Sequence, residues 1–185
     1  MGFSSLKSSS ADKELEWILM PKAFQDVVKL PGIPQGYVTT ILGHSNTGKS
    51  TLLNRAIVSA QKQGLIPVIY DTENNFDFTY AISMGMEAEP VYGDIIDEET
   101  GEVHNGIVDY DGNFIYFNNK RLAERYGKYD HLKGVELSKP RIDAVLEDIA
   151  YSIRELIEAQ ENEEINAGFL FIWDSIGSII SEKKL

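Results

Sequence analysis

Gly43-His44-Ser45-Asn46-Thr47-Gly48-Lys49-Ser50-Thr51 follows the spacing Gly-x-x-x-x-Gly-Lys-Ser/Thr without a mismatch. Residues of these types build a phosphate cradle. The glycines let successive backbone N–H groups turn inward toward an anion, and the helix behind them adds the positive end of its dipole. In that chemistry Lys49 reaches the β- and γ-phosphates, Ser50 offers a hydroxyl to Mg²⁺, and Thr51 contacts a phosphate from the same first helical turn. A glycine-rich turn that binds nothing needs neither the lysine nor the hydroxyl after it. The positions expected to touch a nucleotide are therefore Gly43, His44, Ser45, Asn46, Thr47, Gly48, Lys49, Ser50 and Thr51.

Acids stand at two strand ends where they could complete such a site. The apolar run Leu65 to Tyr70 ends at Asp71-Thr72-Glu73, and Phe169 to Trp173 ends on Asp174-Ser175. In an open parallel sheet, ligands lie beyond the carboxyl ends of the strands, so acids at those ends can face the phosphates. Apolar residues followed by an aspartate, downstream of a phosphate cradle, are the usual form of the second nucleotide-site acid.

The elements that must position these groups are legible as alternating strands and helices. Tyr37 to Leu42 has the β-branched character of a buried strand, and Thr51 to Ala60 spaces apolar residues as a helix. Gly64 suits the end of that helix, and Phe76 to Met84 predicts a short helix closed by Gly85. Between Val91 and Phe117, short apolar runs alternate with turns, which predicts a β-meander inserted between core elements. A polar connector over 119–137 has helical character around Lys120 to Tyr126. A helix is then expected from Ser138, with Pro140 in its first turn and Ile142, Val145, Ile149, Ile153 and Leu156 along one face. Upstream, the serine-rich residues 1–10 predict disorder, Ala11 to Met20 a short helix ended by Pro21, and 22–36 a loop punctuated by proline and glycine. The sum is an α/β chain: a partial parallel sheet flanked by helices, with an inserted meander.

Composition narrows the classes further. The 185 residues are 43% hydrophobic, enough for a sizeable core, and contain no cysteine, so disulfides and thiolate metal sites are excluded. The three histidines have no metal-ligand spacing, which leaves a phosphate-bound magnesium as the metal implied. No run is long and apolar enough to span a bilayer and the start lacks a signal peptide's apolar core, so the expectation is a cytoplasmic protein with no membrane partner. The formal charge of −12 is concentrated: residues 63–119 hold acids and neither lysine nor arginine, while the remainder is balanced. Any DNA-binding surface must be local or lie outside this chain.

Taken together, the cradle at 43–51, the tripeptide Asp71-Thr72-Glu73 followed by a helix closing in Ser83-Met84-Gly85-Met86, and Phe171-Ile172-Trp173-Asp174-Ser175-Ile176-Gly177 resemble the RecA-type strand-exchange recombinases, most nearly the phage branch represented by UvsX. The resemblance runs from about Pro34 to Ile180. It implies a RecA-like P-loop NTPase fold: a lead segment over 1–33 and an ATPase core over 34–185, with an insertion at about 91–130 that is not part of the family's shared core. It implies ATP and Mg²⁺ as cofactors, with Glu73 orienting and deprotonating the attacking water beside Lys49, and Asp174 joining Ser50 at the metal. It further implies hydrolysis dependent on DNA, filaments on single-stranded DNA, and a bacterial or phage-infected host cell. The family's DNA-binding loops and γ-phosphate-sensing glutamine follow the position of Asp174, so the chain is expected to be the amino-terminal part of a longer protein, lacking DNA binding and full catalysis on its own.

Other readings compete. A replicative hexameric helicase shares the cradle, the glutamate and the later aspartate; the Ser-x-Gly after Asp174 and the Met-Gly after the short helix favour the recombinase. A small GTPase shares the look of Asn46 to Asn54 but lacks its glycine after the second strand, where Asn74 stands, and its guanine-reading motif, since Asn119-Lys120-Arg121-Leu122 ends wrongly. An interaction module without chemistry would show no saturable ATP binding.

Overall fold

The computed structural model describes residues 15–97 and 99–184. The expected disorder of residues 1–10 and the first part of the expected Ala11 to Met20 helix lie outside that range. The chain runs through β1 (Trp17–Leu19), α1 (Lys22–Val28), β2 (Gly32–Pro34), α2 (Lys49–Lys62), β3 (Ile66–Asp71), α3 (Phe78–Ser83), β4 (Glu89–Ile96), β5 (Val103–Asp111), β6 (Ile115–Asn118), α4 (Asn119–Tyr126), β7 (Tyr129–Asp130), β8 (Val135–Glu136), α5 (Leu146–Glu161) and β9 (Phe169–Asp174).

The centre is a three-stranded parallel sheet in the order β6-β3-β9. Parallel strands need both faces covered, and β3 shows why: its side chains alternate between two cores. Val68 and Tyr70 point into a cluster with Phe117, Leu122, Tyr126 and Ile149, under α4 and α5. Ile69 points the other way, into Ile57, Val58, Ala81 and Ile172, under α2 and α3. The Tyr70 hydroxyl meets Ser152 of α5 at 2.7 Å in the first core, and burial pushes its pKa up to about 12. Gly64, with φ 74, turns the chain out of α2 into β3 in the backbone region that glycine tolerates best.

Four expectations change. Trp17–Leu19 is a strand paired antiparallel with Gly32–Pro34, so neither the helix at this point nor the featureless loop after it holds. Tyr37 to Leu42 joins no sheet among the described residues, and Val38 and Leu42 are 95% and 88% exposed. β-Branched residues fit a pleated surface only where neighbouring strands supply one, and no described strand lies alongside this segment. The last apolar run of the expected meander, Phe114 to Phe117, supplies β6, which leaves the hairpin and pairs parallel with β3, because its apolar side chains fill the sheet's two cores; what remains is the two-stranded hairpin β4–β5.

The fourth change concerns α5, which begins at Leu146 instead of Ser138, leaving Ile142 89% exposed. Residues before it are committed elsewhere. Arg141 N–H donates to the Gly127 carbonyl at 2.7 Å, and its guanidinium donates to the buried Asp148 at 2.6 Å and pairs with Glu182. His131 Nε2 and the Val145 N–H also meet Asp148, at 2.6 and 2.9 Å, so this aspartate fixes the start of the helix. Among the described residues, no helix is long and apolar enough to cross a membrane.

Candidate phosphate-binding site

The loop 43–48 is shaped by its own polar groups. Thr47 Oγ1 donates to the His44 carbonyl at 2.8 Å, and Lys49 Nζ donates to the carbonyls of Gly43 and His44 at 3.0 and 2.8 Å. Gly48 has φ 87, and a Cβ on Gly43 would come within 2.6 Å of Thr47 Oγ1, so neither position readily takes a side chain. Residues 43–48 are all exposed, and Gly48 caps α2, whose first turn carries Lys49, Ser50 and Thr51. The opening N–H groups of such a helix have no partner inside it, and they point toward the loop. The lysine ammonium is thus held on neutral carbonyls that an anion can replace.

The strand ends meet beside this loop. β3 and β9 are in register, with Asp71 opposite Asp174, and Thr72 N–H donates to the Asp174 carbonyl at 3.0 Å. A small cavity of about 60 Å³ is lined by Ser50 and Asn54 of α2, Asp71 and Asp174 of the strands, and Asp77 and Tyr80 around the start of α3. It has room for an ion and water but not for a nucleotide, for which hundreds of Å³ are usual. Thr51 Oγ1 and the Tyr80 hydroxyl are 3.1 Å apart, which ties the cradle helix to α3.

The three carboxylates at this end differ in what they have left to offer. Asp71 is buried and spent: it accepts from the N–H groups of Asn75 and Phe76 at 3.0 and 2.9 Å and from the Tyr116 hydroxyl at 2.8 Å. Burial and that carboxylate hold the Tyr116 hydroxyl protonated far above the usual tyrosine range. Asp174 is half-buried, and burial, then the Glu73 and Asp71 charges, push its pKa above the usual carboxylate value, with Lys49 partly opposing them. Glu73 is exposed, with both oxygens engaged: Ser175 Oγ donates to Oε1 at 2.5 Å and Asn75 Nδ2 to Oε2 at 3.1 Å. The structure therefore brings Lys49, Ser50, Glu73 and Asp174 to one end of the sheet, with His44, Ser45 and Asn46 on the loop beside them.

Asn54, Asn75, Asp77 and Tyr80 were not singled out from sequence. Asp77 carried a readable signal, since its carboxylate caps α3 by accepting from the Tyr80 N–H at 2.9 Å, an aspartate directly before a short helix. Asn54 carried none, being one polar residue within an apolar helical stripe.

Comparison with known proteins identifies relatives of part of the chain. The family described as RecA N-terminal domain matches residues 14–111, just over half of the chain, a span that contains the cradle and Glu73 but not Asp174. Protein RecA of Chlorobaculum tepidum is 40% identical over 78 residues, which is 42% of this chain and 22% of that protein. Protein RecA of Arthrospira platensis is 35% identical over 100 residues, 54% of this chain and 27% of that protein. The matched segment spans about a quarter of these curated relatives. No solved structure matches the chain significantly. The extent of the family match is enough to place the protein: this chain belongs to the RecA N-terminal domain family.

Proposed function

We propose that this chain is the ATP-binding core of a RecA-like recombination protein of the P-loop NTPase type, with hydrolysis stimulated by single-stranded DNA. What supports the reading most is one convergence: the lysine-bearing loop and the ends of β3 and β9 share a site in which Ser50 and Asp174 line the same cavity. Lys49 would exchange its loop carbonyls for β- and γ-phosphate oxygens. Glu73 would hold the attacking water in line with the γ-phosphorus and accept its proton. Tyr80, half exposed beside Thr51, offers a ring face near the nucleotide.

The donor set suits Mg²⁺. Among the described residues no three or more acidic or histidine side chains gather as a metal cage, and magnesium keeps several waters and takes substrate phosphates plus one or two protein oxygens. Ser50 and Asp174 would be those oxygens, the second through water; when bound, the ion would spread the charge developing on the phosphates. The segment 34–185, with the hairpin β4–β5 as an insertion, would be the ATPase core of a UvsX-like member. In this reading the full-length protein would bind single-stranded DNA and self-associate into filaments.

Glu73→Gln tests the reading. Retained binding of a fluorescent ATP analogue with loss of hydrolysis in the full-length protein is expected; normal turnover would remove Glu73 from the reaction.

A further inference from the structure

We propose that Ser175 is a positioning residue for the γ-phosphate reaction: with Asn75 it clamps the Glu73 carboxylate in the orientation that receives water. The proposal rests on the reading of Glu73 as the water-orienting base. Its own evidence is the hydrogen bonding around the two strand ends. Glu73 projects from the turn after β3, is exposed, and has no cationic partner among the described residues. Nothing but two neutral donors fixes its orientation: Ser175 Oγ on one oxygen at 2.5 Å and Asn75 Nδ2 on the other at 3.1 Å.

The choice of neutral donors suits a base. A guanidinium or ammonium paired with Glu73 would stabilise its anion and weaken its pull on a proton. A hydroxyl and an amide orient the carboxylate without adding a positive charge, and each oxygen keeps a lone pair for water.

The clamp also has a rigid foundation. Thr72, directly before Glu73, is buried, and its hydroxyl sits in a ring of partners from the β9 side: Trp173 Nε1 at 3.2 Å, the Ser175 carbonyl at 3.0 Å and Ser178 Oγ at 2.5 Å. Asn119 Nδ2 holds the Thr72 carbonyl from α4 at 2.9 Å. The backbone on both sides of the Ser175–Glu73 contact is thereby fixed. Ser175 also follows Asp174 in the chain, so one strand end serves both the cavity acid and the base.

The test compares Ser175→Ala, Ser175→Thr and Glu73→Gln in the full-length protein, with ATP turnover and analogue affinity measured separately. Ser175→Ala should keep its affinity and lose about tenfold in kcat, as expected for a misplaced general base, and Ser175→Thr should recover most of it by restoring the hydroxyl. A kcat unchanged in Ser175→Ala, with Glu73→Gln inactive, would overturn the clamp and leave the base in place. Loss of affinity in Ser175→Ala alongside turnover would also overturn it, by assigning the hydroxyl to nucleotide binding. Normal turnover in Glu73→Gln would remove the base reading and the clamp with it. Should Ser175→Ala fail to fold, Asn75→Ala removes the other donor: a lowered kcat at unchanged affinity supports the clamp, and wild-type kcat opposes it.

Discussion

The acidic hairpin β4–β5 and the carboxyl end of the parallel sheet are both rich in carboxylates, yet they use them in opposite ways. In the hairpin, Asp97 and Asp109 are answered locally. Asp97 accepts from the N–H groups of Glu99 and Thr100 at 2.9 and 2.8 Å, and Asp109 meets Arg121 at 2.6 Å. The N–H groups of Thr100 and then Glu99 hold Asp97 below the ordinary aspartate value. For Asp109, burial pushes upward, but the Arg121 hydrogen bond and the Tyr110 N–H outweigh it and the net shift is down. At the sheet end, Asp174 goes the other way, raised by burial and by Glu73 and Asp71. Acid content does not make a site. At the sheet end, strand register sets like charges side by side next to a lysine-bearing loop.

The largest break in this comparison should come from Asp71. Asp71→Ala removes a buried carboxylate from two backbone N–H groups and the part-buried Tyr116 hydroxyl and should cost about 2 kcal/mol, read as a lower urea midpoint. A variant within experimental error of wild type would mean that those donors find other partners.

A moderate effect of two signs is expected at Asp174. Asp174→Asn removes a carboxylate crowded by two others, so the metal-free protein should melt higher while the magnesium dependence of ATP-analogue binding weakens. Calorimetry and a metal titration read the two sides; a lower melting temperature would contradict the crowding.

The pH dependence sharpens the same contrast. Because the folded pKa of Asp174 is raised, the folded protein takes up this proton first, and the crowding cost is relieved as pH falls through that raised value. The lowered Asp97 and Asp109 act in reverse: their contribution is present above the unfolded value of 3.8 and is lost as pH falls through their lower folded values. Carboxyl-detected NMR should find Asp174 protonating at higher pH than either hairpin aspartate, and the opposite order would refute the assignment.

The smallest effect is expected from the hairpin itself. Tyr92, Ile96, Val103 and Ile107 on its strands are all exposed, so joining residue 91 to residue 108 by a short turn should leave ATP-analogue affinity unchanged and alter the melting temperature little. Lost affinity would make the hairpin part of the site.

How legible all this was in the sequence follows from how local each signal is. α2, α3, β3 and β9 were readable because apolar periodicity and the glycines at 64 and 85 are written within each element. Tyr37 to Leu42 misled because strand propensity says nothing about whether a neighbour is present, and the start of α5 misled because Arg141 and Asp148 are joined across the turn before it. β6 looked like a third hairpin strand for the same reason: its parallel partner, β3, lies far back in the chain. At the candidate site, the cradle is legible from spacing and the acids from their places at two strand ends, while the choice of Glu73 rests on the family resemblance. The ring around Thr72 and the Ser175–Glu73 contact depend on strand register, which sequence spacing does not encode.

The central claim is that a triphosphate binds where Lys49, Glu73 and Asp174 come together, and the most direct measurement is equilibrium titration of wild type and Lys49→Ala with a fluorescent ATP analogue in Mg²⁺. The account predicts saturable binding that unlabelled ATP displaces, and an affinity at least ~100-fold weaker in Lys49→Ala through loss of the charge-assisted phosphate contact. Equal affinities for the two proteins, or no saturation in wild type, would contradict it.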